Sequence, residues 1–541
     1  MPSSNTQQGN PKLRPRHDVS FYLALIFVVV PLWSTVPFAW AFVIYSLYTG
    51  RLWAYTWQGK CFFIVTLAEV FFSVYHYQLA RFVAAQPPLP PGALHELRIA
   101  HSRVLKSGLA SLPEDGFDEE TTDSSRPCSP AEDITQLTHD DPRAVDFREV
   151  LRTWFGHAPW SEIRAVEVKR WLYWAIFNSH LPEPEKIPSS HHAVLDEALD
   201  LLQKRAGVVI PEGSAPMYRP LLLTLDQVTI HWRPFAFYAA VGLTNRLLKA
   251  WLQRYRQVQF VVHDGLDFLL RRPINWSPTH GPPPIVFIHG LGLGQLQYHL
   301  FITRLLDEFP DRPILILLQP HISQDIFHPR FLTPMSRHET STRLAALLTK
   351  LGWVATDDVA AADSDDDDDA KSIATSLMDT GARGITMLSH SNGSYCHAWM
   401  LKMYPEMVSR SCFVDPVTFC SWEGDVCYNF IYRPCRTGIE LLMRYFVAAE
   451  LGVANLLQRH FDWSSNALWY EEIPNARDPN KTFFLIAAKD EIVNSKRVER
   501  YLRLHGVRKP LRVDPDGHHG TALIAGGAGH AAIFEWLREA D

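Results

Sequence analysis

The 541-residue chain reads as an α/β protein, a mostly parallel sheet flanked by helices, joined to N-terminal transmembrane helices and a helical linker region. Three observations predict this. From about residue 259 onward, short apolar runs alternate with segments of helical period, the pattern of a parallel sheet covered on both faces. Between Val19 and Gly50 there is no charged residue, and a bilayer span needs only about 20 apolar positions. Between these blocks, residues 144–258 place Val150, Leu151, Trp154, Phe155, Val168, Trp171 and Trp174 at helical spacing.

After a tail at 1–18, residues 19–84 form a membrane anchor with two apolar segments, about 21–48 and 61–80. The first contains Pro31 and Pro37, so it is either one kinked helix or a re-entrant pair. The second is apolar except for Glu69 and His76; Glu69 is expected to face the partner helix or a protein interior, the alternative being a functional intramembrane carboxylate. Trp33, Trp53, Tyr55 and Trp57 suit interfacial belts. The apolar region is too long for a cleaved signal peptide. Lys12, Arg14 and Arg16 outnumber Arg51 and Lys60, which puts the N-terminus and the rest of the chain on the cytosolic face of the membrane. The acidic stretch 107–143, rich in Ser, Thr and Pro, is expected to be a disordered linker. The apolar segment 235–252 carries Asn245, Arg246 and Lys249, so it packs on the following domain or lies at the membrane surface.

The domain at 259–541 opens with two strands (259–271) broken at His263-Asp264-Gly265, then strands near 284–288, 313–318, 384–388, 411–414, 482–488 and 510–513. Helices fall between them at about 295–309, 339–351, 395–403 and 495–504, with a last one at 531–539. The insert 355–370 holds the run Asp365 to Asp369; adjacent carboxylates repel, so it reads as a solvated, disordered loop.

The most informative stretch is Leu388-Ser389-His390-Ser391-Asn392-Gly393, where a buried strand breaks at small residues around a serine and turns into a helix. That is a nucleophile elbow of the G-x-S-x-G kind, with Ser389 in place of the first glycine. Upstream, the strand 284–288 ends in His289-Gly290-Leu291-Gly292. On these residues the chain resembles the α/β-hydrolase superfamily of serine hydrolases. The resemblance implies an oxyanion hole from the N–H groups of Leu291 and Asn392, with His289, Gly290, Gly292, Ser389 and Gly393 as motif support. It places the triad acid at the end of the strand at 482–488, where Asp490 matches, and Asp415 after the preceding strand is the rival. It places the histidine in Asp516-Gly517-His518-His519-Gly520, with His519 preferred and His518 the alternate. The order Ser391, Asp490, His519 is the one expected for this fold. The aromatic-rich insertion 416–474 corresponds to a helical cap that accepts hydrophobic chains.

The function implied is a membrane-anchored serine hydrolase acting on carboxylic esters of hydrophobic or lipid substrates through an acyl-enzyme. An acyltransferase, a peptidase or a non-catalytic relative of the same fold are the alternatives. The net charge of −6 excludes a basic nucleic-acid footprint. Seven cysteines without metal-type spacing make neither a disulfide framework nor a zinc site. The Gly-rich run 290–294 lacks the lysine of a phosphate loop, so no cofactor and no metal is expected. The sequence sets no oligomeric state.

Overall fold

The computed structural model describes residues 16–90, 92–106, 134–354 and 384–539. The acidic insert 355–370, most of the N-terminal tail and residues 107–133 of the expected linker lie outside the described residues. The chain divides into two compact units, one running to Trp232 and including Trp422–Phe461, the other made of Arg233–Ser421 and Asp462 onward.

The second unit is built on an eight-stranded sheet. Its strands are β1 (Gln259–His263), β2 (Leu266–Arg271), β3 (Ile285–Ile288), β4 (Ile314–Leu318), β5 (Ile385–His390), β6 (Val408–Val414), β7 (Thr482–Ala487) and β8 (Leu511–Asp514), in the spatial order β1-β2-β4-β3-β5-β6-β7-β8. β1 and β2 form an antiparallel hairpin, β2 runs antiparallel to β4, and all remaining pairs are parallel. Asp264 and Gly265 make the hairpin turn, both with positive φ. Successive side chains point to opposite faces of a strand, and both Val286 and Phe287 are fully buried, so the sheet is covered on both sides. On one face Ile285, Phe287, Ile314 and Ile316 share a core with Phe301, Leu305, Ile533 and Phe534 of the helices His299–Glu308 and Ala528–Arg538.

The helix Phe235–Tyr255, expected at the end of the helical region, belongs to this unit. Leu252 joins the sheet core, and the Asn245 side chain donates to Leu293 O (2.9 Å) and accepts from Leu296 N–H (3.0 Å). The expected helical region 144–258 is thus divided between the two units after Trp232.

The first unit is helical. Val19–Tyr48 and Trp57–Ala85, 30 and 29 residues, are long and apolar enough to cross a membrane by length and composition. The first passes through Pro31 and Pro37 as one helix; a π-turn at Leu25–Val29, just before Pro31, absorbs the lost hydrogen bonding. Ala39, Val43, Phe63 and Val70 form the core between the two helices, and Trp40 donates its indole N–H to Ser73 Oγ (3.0 Å). Helices Pro142–Thr153, Ala165–Phe177 and Ser189–Ala206 follow. The described end of the expected linker is ordered: Leu137 is buried and its N–H donates to Lys204 O (3.0 Å). The insertion expected as one cap at 416–474 is divided. Residues 422–461 pack with the helical unit, where Trp154 donates its indole N–H to Trp422 O (2.9 Å), and 462–474 stay with the sheet unit.

Candidate active site

β5 delivers Ser391 at a tight turn. Its φ of +50° lies in the left-handed region that a serine adopts only under constraint. The constraint is close packing on every side. A Cβ at Gly393 would stand 2.4 Å from Ile288 O, and one at Gly290 would stand 2.8 Å from Ser391 Cβ, so neither position accepts a larger residue. Ser391 N–H donates to Val414 O (3.1 Å), tying the elbow to the end of β6. Ser389, standing where the common motif has glycine, is fully buried and hydrogen-bonds His397 Nδ1 (2.9 Å), whose Nε2 meets Ser411 Oγ (3.1 Å). Burial pushes the His397 imidazole down to about 3, so this brace under the elbow is neutral.

The loop after β8 brings His519 to the serine, with Nε2 2.8 Å from Ser391 Oγ. Its Nδ1 lies 2.6 Å from Asp490 Oδ2. Asp490 Oδ1 accepts the N–H groups of Ile492 (2.7 Å) and Val493 (2.8 Å), which fixes the carboxylate at the end of β7. The carboxylate accepts, so His519 Nδ1 carries a proton and Nε2 faces the hydroxyl. Burial works against the charged ring, but Asp490, then Asp415 and Glu491, raise it to about 9.

The two alternates occupy other roles. His518 is half exposed and pairs through Nδ1 with Glu491 Oε1 (2.5 Å). Asp415, in left-handed backbone at the end of β6, accepts Ala487 N–H (2.8 Å) and Gly520 N–H (2.8 Å), so it holds the strand before Asp490 and the residue after His519. Burial pushes its carboxyl up to about 6. Asp415, Asp490 and His519 each offer a donor atom within 4.8 Å of the others. The hydrogen-bonding partners already described account for those atoms without an ion.

Leu291 and Asn392 present backbone N–H groups that find no acceptor among the described residues. The loop carrying Leu291 is held from below. Gly290 N–H donates to Tyr298 Oη (3.0 Å), and the hydroxyl then donates to His390 Nδ1 (2.8 Å). His289 is also structural in its contacts, with Nδ1 at Gly290 O (2.8 Å) and Nε2 accepting Gln319 N–H (3.2 Å). Tyr298, His397 and the N–H contacts of Asp415 carry no sequence signal, because each is a buried side chain meeting partners far along the chain.

No protein-family model and no curated protein matches this chain. Solved structures do. A membrane phospholipase A described as a bacterial virulence factor is 14% identical over 56% of this chain and 96% of its own, with a TM-score of 0.31. A probable hydrolytic enzyme from Pseudomonas aeruginosa is 16% identical over 52% of this chain and 93% of its own, with a TM-score of 0.32. A thermophilic esterase from Thermogutta terrifontis is 17% identical over 52% of this chain and 97% of its own, with a TM-score of 0.30.

Proposed function

We propose that this protein is a serine hydrolase of the α/β-hydrolase superfamily, anchored in a membrane by its apolar hairpin. Its substrates are carboxylic esters with hydrophobic chains, lipids among them, cleaved through an acyl-enzyme. The observation that carries this reading is the unbroken chain Asp490–His519–Ser391, at 2.6 and 2.8 Å. Ser391 Oγ attacks the ester carbonyl carbon as its proton passes to His519 Nε2. The N–H groups of Leu291 and Asn392 stabilise the oxyanion. The C–O bond breaks, and the departing alkoxide takes the proton from His519. Water, deprotonated by the same imidazole, then attacks the acyl-enzyme and releases the acid. Asp490 fixes the tautomer and stabilises the imidazolium.

The anchor rests on the length and composition of the two helices, and the cytosolic orientation on the basic residues flanking them. The test is labelling with a fluorophosphonate, followed by a panel of esters of increasing chain length. Wild-type protein labels and Ser391→Ala does not; equal labelling of both removes Ser391 from the mechanism.

A further inference from the structure

Residues 422–461 leave the sheet after β6 and return before β7, yet they fold with the N-terminal helices. Within that unit they grip both helices of the apolar hairpin at the same end. At the start of the first helix, Asp18 N–H donates to Arg436 O (3.0 Å), His17 Nδ1 bonds Cys435 O (3.1 Å), and Gly438 N–H donates to Ser20 Oγ (2.8 Å). The approach is so close that a Cβ at Gly438 would stand 2.5 Å from Ser20 O. Further along, Trp33 packs edge-on against Tyr445, with ring centroids 6.4 Å apart. At the end of the second helix, the buried Arg459 guanidinium donates to Val83 O (3.2 Å) and to Thr224 O (2.8 Å). An arginine on the last carbonyls also complements the negative end of that helix.

Length explains why the grip is at this end. At 1.5 Å per residue, helices of 30 and 29 residues reach about 45 and 43 Å, against about 30 Å of hydrocarbon. About ten residues of each therefore project beyond the hydrocarbon. The opposite end of the hairpin carries the exposed aromatics Tyr48, Trp53 and Trp57, which suit the far interface. The gripped end, where the chain termini of both helices emerge, is then the near interface. Apolar side chains stay open there on both partners: Leu23, Ile26 and Phe27 on the helix and Ile439 on the insert.

We infer that residues 422–461 form a collar lying on the bilayer surface, and that this seating makes ester lipids resident in the bilayer the favoured substrates. The inference rests on the hydrolase reading for its substrate and on the hairpin for its membrane. The ester carbonyls of a lipid lie at the depth where the hairpin leaves the hydrocarbon, which is the depth of the collar.

The experiment uses the full chain in phosphatidylcholine vesicles, assayed on a self-quenched fluorescent phosphatidylcholine in the bilayer and on p-nitrophenyl acetate in the same preparation. Gly438→Val and Arg459→Met loosen the two ends of the grip. The expected result is a loss of at least about tenfold on the bilayer ester with the soluble ester changed by less than about twofold. Equal rates on both substrates, or an equal loss on both, overturns the coupling. A second measurement is independent of turnover: a spin label at Ile439→Cys in a Cys61→Ser, Cys128→Ser, Cys435→Ser background, read against lipid-soluble oxygen and a water-soluble relaxant. Protection from the water-soluble relaxant on vesicle insertion supports the collar; unchanged accessibility overturns it. If wild-type protein cleaves neither ester, the hydrolase reading fails, and the spin label still decides where the collar lies.

Discussion

In the sheet unit, each group of the candidate site sits at the end of a strand or on the loop that follows it. In the helical unit, contacts join residues as far apart as Ser20 and Gly438, 418 positions along the chain. The first arrangement makes reactivity a property of local backbone geometry supported by a sheet. The second makes the helical unit a product of chain closure, in which residues 422–461, inserted between β6 and β7, join a helical body begun near the N-terminus. Damage to the two should therefore separate. Substitutions at strand ends change rate at nearly constant stability, and substitutions in the helical unit change stability or membrane use at nearly constant chemistry.

The largest effect expected is from Ser391→Ala, which lowers kcat on a soluble ester by about 10⁶ while leaving the melting temperature within a few degrees. His519→Ala should fall as far and Asp490→Asn by about 10⁴, whereas His518→Ala stays within about threefold, all read from steady-state kinetics. An inactive His518→Ala beside an active His519→Ala would hand the base to the exposed ring.

The next effect is in pH dependence. Only neutral imidazole accepts the serine proton, and His519 is raised to about 9, so kcat/KM should climb with pH up to that value. Asp415 is one of the carboxylates that raise it, so Asp415→Asn should move the limb to lower pH and cost about 10-fold in rate, through the lost Gly520 and Ala487 contacts. A profile already flat from about pH 7 would mean that the carboxylates do not load the ring. The smallest effect falls in the other unit. Trp154→Phe removes the bond to Trp422 O and should cost about 1 kcal/mol in unfolding free energy, with fluorophosphonate labelling of Ser391 unchanged. Lost labelling would show that the two regions do not behave separately.

This division also explains what could be read from the sequence. The strands around the site are continuous apolar runs because both sheet faces are buried, so 284–288 and 384–388 could be found within a residue or two. Ser391 could be found because the turn demands small neighbours. Asp490 and His519 came from resemblance and chain order, and the structure brings both side chains to Ser391. The Ser389–His397–Ser411 brace and the Gly290–Tyr298–His390 support were not legible, since a serine, tyrosine or histidine inside an apolar segment looks the same whether or not a partner waits across the core. The division of the 416–474 insertion was not legible either. Its aromatics mark a buried surface but not which body they cover, and the partners of 435–438 lie near residue 18.

The left-handed backbone at Ser391 puts activity and robustness in opposition at a single residue. Left-handed geometry costs a non-glycine residue roughly 1–2 kcal/mol. Ser391→Gly should therefore be inert as a catalyst yet melt higher than the working protein. Sturdiness alone favours glycine there, so a change that steadies the fold also removes the hydroxyl on which the proposed chemistry depends.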